Sequence, residues 1–119
     1  MTQEEKELLI KDLCARLPYG VKLQIKNEII VLNSICNDDS YHFNFIGDDK
    51  EGVNIEQIKP YLFPYSDISE KHEFLSTCNC YCSYYWTEET FDWFNENHID
   101  YRGLIEKNLA IDATELNIY

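Results

Sequence analysis

The sequence predicts an α+β fold in which a small antiparallel sheet, either simply curled or an SH3-like half barrel, is flanked by one N-terminal and two C-terminal helices. Three observations carry that expectation. Apolar residues recur at helical spacing before Pro18, at alternate positions from Val21 to Phe45, and at helical spacing again after Thr87. Strands and helices are grouped rather than alternating, which is the α+β order. The 119 residues, 45% of them apolar and with 6 Phe, 9 Tyr and 2 Trp, are enough to close one core over a single domain, 1–119.

The first helix is announced by Thr2-Gln3-Glu4-Glu5, whose spacing is that of a capping box. Leu9, Ile10, Leu13, Cys14 and Leu17 form its apolar stripe, leaving Glu4, Glu7, Lys11 and Asp12 to solvent, and Pro18-Tyr19-Gly20 ends it. Val21, Leu23 and Ile25 then alternate with Lys22, Gln24 and Lys26 as a half-buried strand, followed by a turn around Asn27-Glu28. Ile29 to Cys36 is a β-branched run, and Tyr41, Phe43 and Phe45 mark a third strand. Val53-Asn54-Ile55 reads as a short fourth strand. The two prolines of IEQIKPYLFP forbid a central strand over 55–64, so that segment is expected to cross the sheet edge with Ile58, Leu62 and Phe63 inward. Ser66 and Ser69 have the side chains to cap short helical turns.

Residues 76–83, STCNCYCS, place Cys78, Cys80 and Cys82 two apart. In a strand from Phe74 to Trp86 the three thiols share one face with aromatic residues, where cysteine serves as a small hydrophobe. Alternate Cα atoms lie ~6.6 Å apart with parallel side chains, which disfavours a disulfide. The run lacks the C-x2-C knuckle of zinc sites, and its neighbourhood lacks the cations that activate a thiol. Core packing is therefore the expected role, with no metal and no cofactor. Thr87-Glu88-Glu89 opens a second helix bearing Phe91, Trp93 and Phe94, which His98 closes at the negative end of the dipole. Asp100 caps a third helix over YRGLIEK that ends near Asn108. Leu109-Ala110-Ile111 forms a short strand or an extended arm.

Charge and composition narrow the function. Ten basic against 22 acidic residues give a net charge of -12, which repels a phosphate backbone and argues against direct nucleic-acid binding. The N-terminus lacks a signal-peptide pattern and no apolar run is long enough to span a membrane, so a cytoplasmic protein with reduced cysteines is expected. Asp38, Asp39, Asp48, Asp49 and Glu51 read as solvated turns rather than a calcium loop, or as part of a phosphate-like acidic array. His42, His72 and His98 fall in no zinc or triad spacing, so no catalytic residue is assigned and an enzyme is not the expected class. The binding candidates are Trp93, Tyr101, Arg102 and Gly103. Arg102 is one of only two arginines and sits beside a tyrosine, both frequent hot-spot residues. The competing structural reading has Asp100 capping, Tyr101 packing, Gly103 allowing close helix approach and Arg102 pairing with a carboxylate.

KDLCARLPYGVK (11–22), IKPYLFP (58–64) and FDWFNENHIDYRGLIEKNLAIDAT (91–114) resemble, in the same order, a group of uncharacterised small acidic proteins from phages and mobile elements of gut bacteria. The resemblance implies a setting rather than a chemistry. In that setting a protein-binding modulator or adaptor acting on a host or rival protein is the leading expectation. A small-ligand, nucleotide-like binding or sequestering protein is the alternative, and a small hydrolase comes third. Oligomeric state is left open.

Overall fold

A computed structural model describes residues 1–37, 41–47, 53–65 and 88–119. Expectations for the cysteine run, Ser66, Ser69, Thr87 and the acidic residues of 38–39 and 48–51 lie outside them. The fold is α+β with a mixed six-stranded sheet. Helix α1 (Gln3–Arg16) carries the expected capping box, with Thr2 Oγ1 accepting from the Glu5 amide at 3.1 Å and Glu5 Oε1 accepting from the Thr2 amide at 2.9 Å. Its buried face differs from the expected one. Leu9 and Leu13 are buried, but Asp12 and Arg16 are buried with them while Cys14 is exposed. Two apolar and two charged residues thus share the inner stripe, which an apolar count cannot detect.

Strands β1 (Lys22–Ile25) and β2 (Glu28–Asn37) form a two-residue hairpin in which Ile25 faces Glu28. Lys26 and Asn27 both have positive φ, 49° and 68°, the geometry whose twist matches a right-handed hairpin. The turn therefore lies one residue earlier than expected. A register shift between Leu32 and Ser34 lets the long β2 leave β1 and continue along β3 (Tyr41–Phe45). Val21, Leu23, Ile25, Ile30, Leu32, Phe43 and Phe45 turn inward against Leu9 and Leu13 of α1.

Two expectations fail at residues 53–64. Ile55–Gln57 is a 3-10 turn rather than a strand, closed by reciprocal bonds between Asn54 and Gln57. Lys59–Pro64 is strand β4 despite Pro60 and Pro64, and it pairs with three other strands. Residue parity explains how the prolines are tolerated. Successive residues of a strand direct their backbone groups to opposite edges. The Phe63 amide donates to the His98 carbonyl at 2.8 Å, whereas the Leu62 carbonyl accepts from the Ala113 amide at 2.9 Å. Lys59, Tyr61 and Phe63 therefore face the edge of β1 and β5 (Ile99–Asp100), and Pro60, Leu62 and Pro64 face the edge of β6 (Ile111–Asp112). The missing amides of the prolines point to the β6 edge, just before and just after the two-residue contact with β6.

The sheet is thus not purely antiparallel, because β5 and β6 both run parallel to β4. Two α-helices stand among the described residues, the second being α2 (Glu88–Glu96). The expected third helix over 101–107 is a series of turns. Asp100 does cap this stretch, but its two carboxylate oxygens accept from the amides of Leu104 and Ile105, both at 2.8 Å, and close a loop instead of starting a helix. Gly103, inside this stretch, has a φ of 76°, which breaks a right-handed helix, while Asn108, at the expected end of the helix, has a left-handed φ of 61°. Phe94 and Ile99 form a second buried cluster with Phe63, Trp93 and Tyr101 packed against it.

Candidate functional site

The inner face of α1 meets the 94–102 segment through charge. Arg16 is fully buried, and its Nε and Nη2 donate to the two oxygens of Asp12, also fully buried, at 2.8 and 3.0 Å. The i,i+4 spacing on a helix brings the two side chains together. Arg16 further donates to the carbonyls of Ile99 (Nη2, 2.6 Å) and Phe94 (Nη1, 3.4 Å), tying α1 to the end of α2 and to β5. These carbonyls accept from a fixed charge in place of water, which is what makes a buried guanidinium tolerable.

Arg102 completes the cluster from the opposite side. Its Nη1 donates to Asp12 Oδ1 at 2.9 Å, so one carboxylate serves two guanidinium groups and the cluster carries one excess positive charge. The Arg102 side chain retains 16% of its exposure. Its guanidinium lies 4.5 Å from the centroid of the Tyr101 ring, while that of Arg16 lies 5.6 Å from the same ring. Both distances fall within cation–π range. Tyr101 is stacked on Phe94 at 5.3 Å, and its hydroxyl donates to Asn95 Oδ1 at 3.1 Å. The aromatic plate beneath Arg102 is therefore fixed at both ends.

Of the four expected binding residues, Tyr101 and Arg102 come together here. Trp93 is half-buried on α2 and packs edge-on against Phe94 at 5.9 Å. Gly103 has a different role from the expected one. No atom lies within 4 Å of where its Cβ would be, so it allows no close helix approach, and its φ of 76° is the reason for glycine. The reading of Arg102 as a carboxylate partner is also met, by Asp12. Sequence reasoning missed Asp12 and Arg16. The available signal was Arg16, the other arginine of the chain, four residues after an acid and in line with Leu9 and Leu13.

A second polar arrangement lies at the junction of β1, β4 and β5. His98 follows α2 with a left-handed φ of 58°, and its ring is buried, with no partner for Nδ1 among the described residues. It stacks on Tyr119 with centroids 3.9 Å apart and planes 15° apart. Burial first, then the charges of Arg16 and Lys22, pull the His98 pKa down to about 4. The expected helix-capping cation is accordingly a neutral imidazole at pH 7. Because the folded-state value lies below the ordinary 6.5, the stabilisation is complete above pH 6.5 and is lost as the pH falls toward 4. His98→Asn, which tolerates the left-handed backbone, should remove this contribution. Wild-type thermal midpoints should therefore fall more steeply than those of the variant between pH 6.5 and 4, and parallel curves would refute the assignment.

Tyr119 is the counterpart. The residue as a whole is 41% exposed, but its hydroxyl is bonded to the Lys22 amide and the Tyr61 carbonyl, and burial pushes its pKa up to about 12. Comparison with family models, with curated proteins and with solved structures finds no match to this chain. Among the described residues no three His, Cys, Asp or Glu side chains are grouped to hold a metal ion, and no helix is long and apolar enough to cross a membrane.

Proposed function

We propose that the chain is a protein-binding modulator or adaptor of phage or mobile-element type, acting without catalysis on a host or rival protein in the cytoplasm. The β1–β3 meander, bent at the β2 irregularity, is read as the curled SH3-like half of its scaffold. The observation that carries the functional reading is the state of Arg102. Asp12 and Tyr101 hold its guanidinium in one orientation, and among the described residues its Nε and Nη2 have no hydrogen-bond partner. A pre-oriented arginine on an aromatic plate loses little side-chain entropy when it meets a carboxylate or carbonyl. Exposed Phe91, whose ring lies 5.4 Å from that of Tyr101, extends the same surface with a residue type common at interface centres.

The test is a tagged capture from host lysate after nuclease treatment, comparing wild type with Arg102→Ala and Arg102→Lys. Because Arg16 still neutralises Asp12 in these variants, thermal midpoints are expected to stay close to wild type. Near-stoichiometric capture should be lost with alanine and not restored by lysine, which cannot supply the planar fork. Equal capture by all three proteins would refute the reading.

A further inference from the structure

Tyr119 occupies a position that the sheet itself should close. Leu23 pairs with Pro60 and Gln24 with Lys59, so the next antiparallel partners are Lys22 and Tyr61. Pro60 has no amide and belongs to a non-hydrogen-bonded pair, which makes Lys22 and Tyr61 a pair that should exchange a direct backbone bond. Instead the Tyr119 hydroxyl stands between them, accepting from the Lys22 amide at 2.8 Å and donating to the Tyr61 carbonyl at 2.9 Å. One phenolic oxygen satisfies a donor and an acceptor at once, which a phenyl ring cannot do and a hydroxyl can. The ring is held by the His98 face at 3.9 Å, Phe63 at 5.8 Å and the Lys22 ammonium at 5.3 Å from its centroid. The slot therefore has two aromatic walls, a cation and a floor that matches a hydroxyl at the para position.

What brings Tyr119 there is slight by comparison. Residues 114–117 are exposed, Asn117 has a left-handed φ of 52°, and the segment is held by bonds from Thr114 to the Asp112 carboxylate, from the Leu116 amide to the Ala113 carbonyl and from Lys22 Nζ to the Ile118 carbonyl, all but the last of them local. We infer that the gap between β1 and β5 on β4 is a binding site for a p-hydroxyphenyl group, filled in cis by Tyr119 and open to the same group from another molecule when the 114–119 segment lifts away. The site is separate from the Arg102 surface and does not depend on the function proposed for it.

The test uses Tyr119→Ala with p-cresol and toluene as probes. p-Cresol is expected to raise the thermal midpoint of the variant in a concentration-dependent way, as a ligand of the folded state must, while toluene and p-cresol added to wild type have little effect. Equal rescue by toluene, or none by p-cresol, would overturn the inference. If Tyr119→Ala does not fold alone, its refolding yield with each probe reads the same comparison. Tyr119→Phe supplies an independent check, since the Lys22 amide should exchange faster with solvent than in wild type; an unchanged rate would also overturn the inference. Native mass of the wild type across a concentration series identifies the source of the competing phenol. A dimer abolished by Tyr119→Ala assigns it to a second copy, and a monomer throughout rules that source out.

Discussion

Replacing Asp12 with alanine is expected to destabilise the fold by about 3–5 kcal/mol, the usual cost of leaving one member of a buried ion pair without its partner. Asp12 and Arg16 are both fully buried, so the guanidinium of Arg16 would keep the Phe94 and Ile99 carbonyls but lose its only counter-charge among the described residues. Arg102 would lose its anchor in the same step. Urea unfolding with linear extrapolation measures the effect. Asp12→Leu combined with Arg16→Met should recover much of the loss, since apolar replacement of a whole buried pair is often neutral. A single-variant loss below about 1 kcal/mol, the range of exposed pairs, would mean that Arg16 reaches water.

Phe94→Ala should cost a comparable amount, about 3–5 kcal/mol, the range for emptying a buried phenylalanine site. Phe94 is fully buried and meets the rings of Tyr65, Phe91, Trp93 and Tyr101 at 5.3 to 6.4 Å, so few neighbours can relax into the gap without leaving another ring partner. The consequence reaches the candidate interface. Tyr101 would lose the plate it stacks on, and Arg102 would lose the fixed ring beneath it. Phe94→Leu, which keeps most of the volume, should lose less stability yet still weaken partner capture, because stacking rather than bulk orients Tyr101. Full capture by Phe94→Leu would separate the Arg102 surface from the aromatic cluster.

Much of this molecule was legible wherever the deciding information was local. The Thr2/Glu5 capping box, the alternation of Val21, Leu23 and Ile25, and the inward Phe43 and Phe45 each depend on neighbours within a few residues, and each is present as expected. The errors share a different physical cause. Pro60 and Pro64 argued against a strand because edge identity is not written in the strand itself, and only the placement of β5 and β6 shows which edge lacks the amides. Asp12 reads as a surface acid on a helix until Arg16 and Arg102, 90 residues away from Asp12 in the latter case, meet it.

By itself the sequence determined the α+β class, the first helix with its cap, the β1–β3 meander and the acidic balance of -12, because periodicity, capping and charge are properties of short windows or of composition. The tertiary structure alone decided that two strands join β4 in parallel, that Asp12 is buried, that His98 is neutral and that the Tyr119 hydroxyl completes a sheet ladder 97 residues from Lys22. Those outcomes depend on which distant backbone and side-chain groups are left without partners when the core closes, a quantity that does not exist until the chain has folded.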